Sequence, residues 1–430
     1  MLLPLLLAVT AVQADTLLVP GVVLLGEPIE HATYVREDPP VLPRPSLSTF
    51  VSMPLPASDH PGLPTHSLEL PTRHGFTRSE LERAIFSVES EMFRGGFPGA
   101  ALAVGRWERT VIERGFGTLE RYPGSPPVDP DHTLYDLASL TKVVATTTAV
   151  MLLVEDGRMH LDAPVSRYLP EFAGGDRGGV TVRHLLAHNS GLPAWAETSA
   201  VSSEQSLSRA IATPLKSPPG RKVEYSDIGF VVLWAVAERA HGGPLPDLLE
   251  KRVFEPLEMW TTAFRPGSSC IRCAPTDARD GYRGVVHDPI ARRLGGVTGN
   301  AGLFSTVHDL SRFAAMMANG GELDGKRIFE RATIEEFTRR QAGAGTRALG
   351  WDTPDLRGTG AAGLRISPDA FGHTGFTGTS MWIDAHRGTW VVLLSNRTLQ
   401  PNGPNRMQAL RRDLNNYVAN AVDLGAGFDR

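Results

Sequence analysis

The sequence predicts an α+β fold in which one antiparallel sheet, flanked by helices, is assembled from both ends of the chain beside a second, mostly helical lobe. Three observations predict it. Two strand-like runs and a helical pattern stand early in the chain, three strand-like runs and a helical pattern stand late, and the material between them is mostly helical in period. At 430 residues the chain is long enough to bury a large core and to hold two or three domains.

The elements follow in order. Thr77-Arg78-Ser79-Glu80 is a capping-box pattern, and Leu81, Ala84, Ile85, Val88 and Met92 continue it at helical spacing until Gly95-Gly96 ends the helix near Arg94. Ala100 to Val104 and Thr110 to Phe116 read as strands joined by a polar hairpin at Arg106 to Arg109. Ser139 opens an apolar helix that closes near Asp156. His373 to Gly375, Ser380 to Ile383 and Trp390 to Leu394 read as the late strands, linked by turns at Gly375 to Gly378 and Asp384 to Gly388, and an amphipathic pattern from Asn405 to Val422 closes the fold.

The termini and cysteines suggest a compartment. Met1 to Ala14 is a short apolar run ending in a Val-x-Ala pattern, read as a signal peptide over residues 1–14 although no Lys or Arg precedes it; export to the periplasm or outside the cell is expected. Residues 15–73 are rich in proline and lack periodicity, as in Asp38-Pro39-Pro40-Val41-Leu42-Pro43, and read as an arm or linker. The folded domain is expected over 74–425, with the sheet lobe at about 75–135 and 345–425 and the helical lobe at about 157–340. No run is expected to span a bilayer: Val143 to Val154 is too short and ends in Glu155-Asp156-Gly157. Cys270 and Cys273 are the only cysteines, and a small disulfide, a pair of structural thiols or a metal or redox role all stay open. A net charge of −4 with no basic run argues against a nucleic-acid partner and for a small-molecule or peptide substrate.

The chemistry is carried by Ser139-Leu140-Thr141-Lys142. A hydroxyl is a poor nucleophile at neutral pH until a base takes its proton, and an amine three residues on lies on the same helix face. Lys142 is one of five lysines and the only one with a serine three positions before it. Tyr225-Ser226-Asp227 follows 83 residues after Lys142, and His373-Thr374-Gly375 follows 148 residues after Tyr225.

S-x-x-K, then a Y-x-N variant, then H-T-G in place of K-T-G resembles the serine β-lactamases and penicillin-recognising peptidases, in particular the class C branch with its tyrosine in the second motif. The segments Val182 to Pro193 and Leu294 to Thr306 resemble the same family, and the resemblance runs from about Gly75 to about Asn396. It implies a β-lactamase/transpeptidase-like fold with the cleft between the lobes, and acyl transfer through an ester on Ser139 without a cofactor. It also implies an oxyanion hole made by the backbone N–H groups of Ser139 and Phe376, the residue after His373-Thr374-Gly375.

Lys142 and Tyr225 share the expected base role. Burial should depress the pKa of the lysine, and a nearby ammonium should lower that of the phenol. Asp227 stands where the family commonly has asparagine; an ionised carboxylate accepts but does not donate, so recognition of a substrate carbonyl gives way to pairing with Lys142. His373 replaces a lysine, as in some DD-carboxypeptidases of the family, and is a weaker anchor for a substrate carboxylate unless protonated. The expected activity is that of a D-alanyl-D-alanine carboxypeptidase, with peptidoglycan stem peptide as substrate class; esterase and β-lactamase are the near alternatives, and a non-catalytic penicillin-binding sensor or envelope module is the alternative from another class. His184 and His188, at i and i+4 without a glutamate beside them, read as structural helix-end residues, and Trp351 and Trp382 as core or cleft wall.

Overall fold

The computed structural model describes residues 74–277, 282–400, 403 and 405–422, together with the short antiparallel pair Val23–Leu24 and Tyr34–Val35. That pair lies in the first of two compact units, Met1–Leu63, where the proline-rich reading gave no strand. The expected signal peptide falls outside the described residues. Everything that follows concerns the second unit, Pro64–Arg430.

Five antiparallel strands form the main sheet in the order Phe371–Thr374, Ser380–Asp384, Thr389–Ser395, Gly99–Arg106, Arg109–Gly117. The two chain ends meet at its centre, where Val391 pairs with Val104 and Leu393 with Leu102. Strand Gly99–Arg106 is buried along its whole length, as its run of small and apolar residues requires when both faces are covered. Alternate residues serve two cores: Ala100, Leu102 and Val104 pack with the helices Arg78–Phe93 and Met407–Ala421, whereas Ala101 and Ala103 pack into the larger core that contains Val307–Ala318 and the helical region. Gly105 admits the Trp390 indole, since a Cβ there would sit 2.0 Å from a ring carbon.

The early helix forms, but not by its expected cap. Thr77 is the N-cap and its side chain accepts no hydrogen bond; its backbone N–H donates to Ala421 O at 2.7 Å, so tethering to the last helix replaces the local box. The helix Ala138–Glu155 corrects a second expectation: by length and composition it could span a bilayer, yet it is buried inside the protein as a core helix. It starts as a 3₁₀ turn, Ala138–Leu140, runs through a π segment, Lys142–Thr147, and ends as α-helix, Thr148–Glu155. Beside it packs the other apolar helix, Asp227–His241, capped by Ser226 Oγ on Gly229 N–H at 2.9 Å and ended by Gly242 in the left-handed conformation. The starts of these two helices and the edge strand Phe371–Thr374 converge on one place.

Candidate active site

Ser139 sits at the first turn of its helix, and the chain enters that turn through Ala138 at φ 47°, a left-handed conformation that costs a non-glycine residue about 1–2 kcal/mol. One turn on, Lys142 is wholly buried, and its Nζ has three acceptors: Asp227 Oδ1 at 2.6 Å, Asn300 O at 2.9 Å and Ser139 Oγ at 3.1 Å. An ammonium has three N–H groups, so this geometry satisfies all of them. The π segment beginning at Lys142 matches the tendency of such bulges to lie at functional sites.

Tyr225 precedes the capping residue of the second helix. Its phenol interacts with both Lys142 and Ser139, and its ring lies 4.9 Å from Nζ of Lys142. His188 stacks against it with ring centroids 4.5 Å apart, and the Nδ1 of His188 accepts the Ser226 N–H at 3.0 Å. On the far side the guanidinium of Arg347 lies 5.2 Å from the Tyr225 centroid.

The third motif forms the edge strand. His373 is 3% exposed, with its Nδ1 2.8 Å from Thr374 O. Gly375 donates to Thr379 O at 2.7 Å, and a Cβ at this position would meet Leu137 O at 2.5 Å, so only glycine lets the strand edge approach the nucleophile turn. Arg411, from the last helix, holds this turn by donating to Gly375 O and Thr379 O, each at 2.8 Å. Phe376 follows, 64% exposed as a residue, its ring stacked on His287 at 5.6 Å and capped by Arg397, whose guanidinium also donates to Phe376 O at 3.0 Å.

With this geometry in place, the comparison with known sequences is specific. The family profile Beta-lactamase matches residues 86–415. The chain belongs to the beta-lactamase family. Proteins named "Putative D-alanyl-D-alanine carboxypeptidase" from Salmonella agona (strain SL483) and Salmonella typhi are each 31% identical to it over 396 residues, covering 83% of this chain and 89% of theirs. Among solved structures, a penicillin-binding protein homologue from Caulobacter crescentus superposes with a TM-score of 0.66 at 21% identity, covering 81% of this chain and 99% of that one. EstCE1, a hydrolase with promiscuous acyltransferase activity, superposes at 0.64 with 23% identity, covering 79% and 99%. Both likenesses concern the fold. As a beta-lactamase-family protein the chain is a serine hydrolase by kinship.

Two electrostatic expectations for this family member, a depressed Lys142 and a lowered Tyr225, are corrected. Burial alone would push the Lys142 ammonium down, but Asp227 and Tyr225 outweigh it and hold the lysine above its ordinary range. Tyr225 is raised by burial in spite of Lys142, so the phenol is neutral rather than activated. His373 is pushed well down by burial and by the cations Arg347 and Lys142, so it is a neutral imidazole and cannot anchor a carboxylate by charge. Asp227 does pair with Lys142 at 2.6 Å, although burial raises its own pKa.

The remaining readings resolve simply. His184 closes a capping box with Thr181, and Trp351 and Trp382 are core residues. Cys270 and Cys273 form a disulfide. Two contributors escaped the sequence. Asn300 serves Lys142 through its main-chain oxygen, which no residue type could signal, although it lies in the family-like segment Leu294 to Thr306. Arg347 reaches Tyr225 and His373 from a loop with no motif of its own. A groove of about 310 Å³ between the helices Arg78–Phe93 and Met407–Ala421 holds none of the site residues.

Proposed function

We propose that the protein forms an acyl-enzyme on Ser139 and cleaves the last amide bond of peptides ending in D-alanyl-D-alanine, with a free terminal carboxylate required. One observation carries the reading: the Nζ of the buried Lys142 joins Ser139 Oγ to Asp227 Oδ1 in a single contact set. The relatives' name supplies the substrate class.

In the resting site Lys142 is an ammonium and Asp227 a carboxylate. Proton movement from Nζ to Oδ1 frees the amine lone pair, which accepts the Ser139 proton as Oγ bonds to the carbonyl carbon. The oxyanion forms against the N–H groups of Ser139 and Phe376; among the described residues the Phe376 N–H has no hydrogen-bond acceptor. Tyr225 passes its proton to the departing amine as the C–N bond breaks and takes the Ser139 proton from Lys142 in return, and water then hydrolyses the ester. Since His373 is neutral, the substrate carboxylate falls to Arg347, whose guanidinium lies over Tyr225 and 3.7 Å from Asp352.

A second reading, an esterase, is favoured by Asp227: a carboxylate here cannot donate to an amide carbonyl, a contact that an ester with an activated leaving group needs less. Intact mass after incubation with a fluorophosphonate, with a penicillin, and with a D-Ala-D-Ala peptide separates the two. Release of D-alanine supports the first reading. Turnover of esters alone supports the second, and no adduct on Ser139 with any probe overturns both.

We also propose export, with a mature chain starting at Asp15. The Cys270–Cys273 disulfide supports an oxidising compartment. N-terminal sequencing of the protein from its native host tests this, and an intact Met1 overturns it.

A further inference from the structure

The geometry points to Asp136 as the positioning residue of the oxyanion hole: its carboxylate holds the strained entry to Ser139, and its main-chain carbonyl holds the turn that carries the Phe376 amide. This rests on the reading of Ser139 as nucleophile and of the two amides as oxyanion donors.

Asp136 lies three residues before Ser139 on a two-residue strand paired with Leu303–Ser305, and it is 1% exposed. Both carboxylate oxygens are used. Oδ1 accepts the Ala138 N–H at 2.9 Å and Oδ2 accepts the His287 N–H at 2.7 Å. The first bond fixes the residue whose φ of 47° turns the chain into the Ser139 helix, a conformation that persists only where surrounding contacts enforce it. The Asp136 carbonyl accepts the Thr377 hydroxyl at 2.7 Å, and the neighbouring Leu137 carbonyl accepts that of Thr379 at 2.9 Å. These two threonines flank the turn that follows Phe376. His287, held by the same carboxylate, stacks on the Phe376 ring. One side chain and one carbonyl therefore tie together the two segments whose amides must point at a single oxygen.

Neither amide of the hole is contacted by Asp136 itself, so its removal should alter placement rather than binding. Asp136→Asn keeps the size but offers one acceptor for two N–H donors, leaving an amide NH₂ facing an N–H group. A misplacement of about 1 Å lowers turnover about 100-fold, so kcat for an ester substrate should fall about 10- to 100-fold with KM little changed. Asp136→Glu, which retains two acceptors, should recover part of the loss. Thr377→Val tests the same tether from the other segment without disturbing the buried carboxylate, and should lower kcat in the same sense if Asp136→Asn does not fold.

The experiment measures kcat and KM for these variants beside fluorophosphonate labelling of the wild-type and Ser139→Ala proteins. A fall in kcat confined to the Asp136 and Thr377 variants, with Ser139 labelled in the wild type, is expected. Folded Asp136→Asn and Thr377→Val proteins with wild-type kcat overturn the inference alone. Labelling that survives Ser139→Ala overturns the reading beneath it.

Discussion

The carboxylate of Asp227 lies 2.6 Å from the ammonium of Lys142, a residue 85 positions earlier and wholly buried. This contact, more than the presence of a serine and a lysine one turn apart, sets the resting charge of the site. Burial does not free the amine: Lys142 is held as half of the ion pair that a carboxylate at 227 led one to expect, and under the proposed mechanism its activation requires the pair to exchange a proton.

Replacing the nucleophile is the first test. Ser139→Ala leaves oxyanion donors and binding contacts in place, so an activated ester should lose at least about 10³-fold in kcat while thermal unfolding stays near wild type. Steady-state hydrolysis and circular dichroism on the same samples measure the two quantities. A rate near wild type would remove Ser139 from the chemistry.

Asp227→Asn should make the lysine easier to deprotonate. Asp227 is the foremost of the groups holding Lys142 above its ordinary range, and the free amine is the reactive form, so removing the charge lowers the pKa and moves the acidic limb of kcat/KM to lower pH. An opposite charge at this range is worth about 1–3 pH units. The new amide donor should also raise penicillin acylation relative to ester turnover. An unmoved limb, read from pH–rate profiles of both proteins, would detach Asp227 from the base.

Arg347→Met separates the substrates by charge. With His373 neutral, KM for a peptide ending in a free carboxylate should rise about 10- to 100-fold, the range of a charge-assisted hydrogen bond, whereas KM for an uncharged ester should change little. Equal changes for both substrates would place Arg347 in the support of Tyr225 rather than in contact with substrate.

Asp136 should leave a mark on stability. Burial raises its carboxyl to about 6 in the fold, above the ordinary 3.8, so between these values the folded state holds a proton that the unfolded chain has released. Stability therefore falls as pH rises through this window, by about 3 kcal/mol in total. Urea unfolding at pH 4 and pH 6.5 should show a smaller difference in Asp136→Asn than in the wild type; equal differences would mean that Asp136 titrates normally.

What could be read from the sequence was whatever rests on local spacing. The early and late strands, the helix from Met407 to Ala421 and the Ser139–Lys142 turn follow from period and motif. The direction of the Lys142 shift did not, because desolvation and pairing act in opposite directions and the sequence does not say which is larger. Asn300 was illegible for a different reason: the atom that matters is a carbonyl, common to every residue. Thr77 shows the converse, a cap signature that the fold leaves unused: its side chain accepts no bond and its amide donates to Ala421 O.

The centre of the sheet joins strand Gly99–Arg106 to strand Thr389–Ser395, nearly the whole folded chain apart. During synthesis the first strand emerges long before its partner exists, and Phe376 and its turn are among the later segments to appear. Pairings this distant in sequence form slowly and last. A nascent or truncated chain thus carries Ser139 and Lys142 without the edge that would complete their site, and hydrolytic competence arrives only when the C-terminal third has been made and has closed onto the first strand.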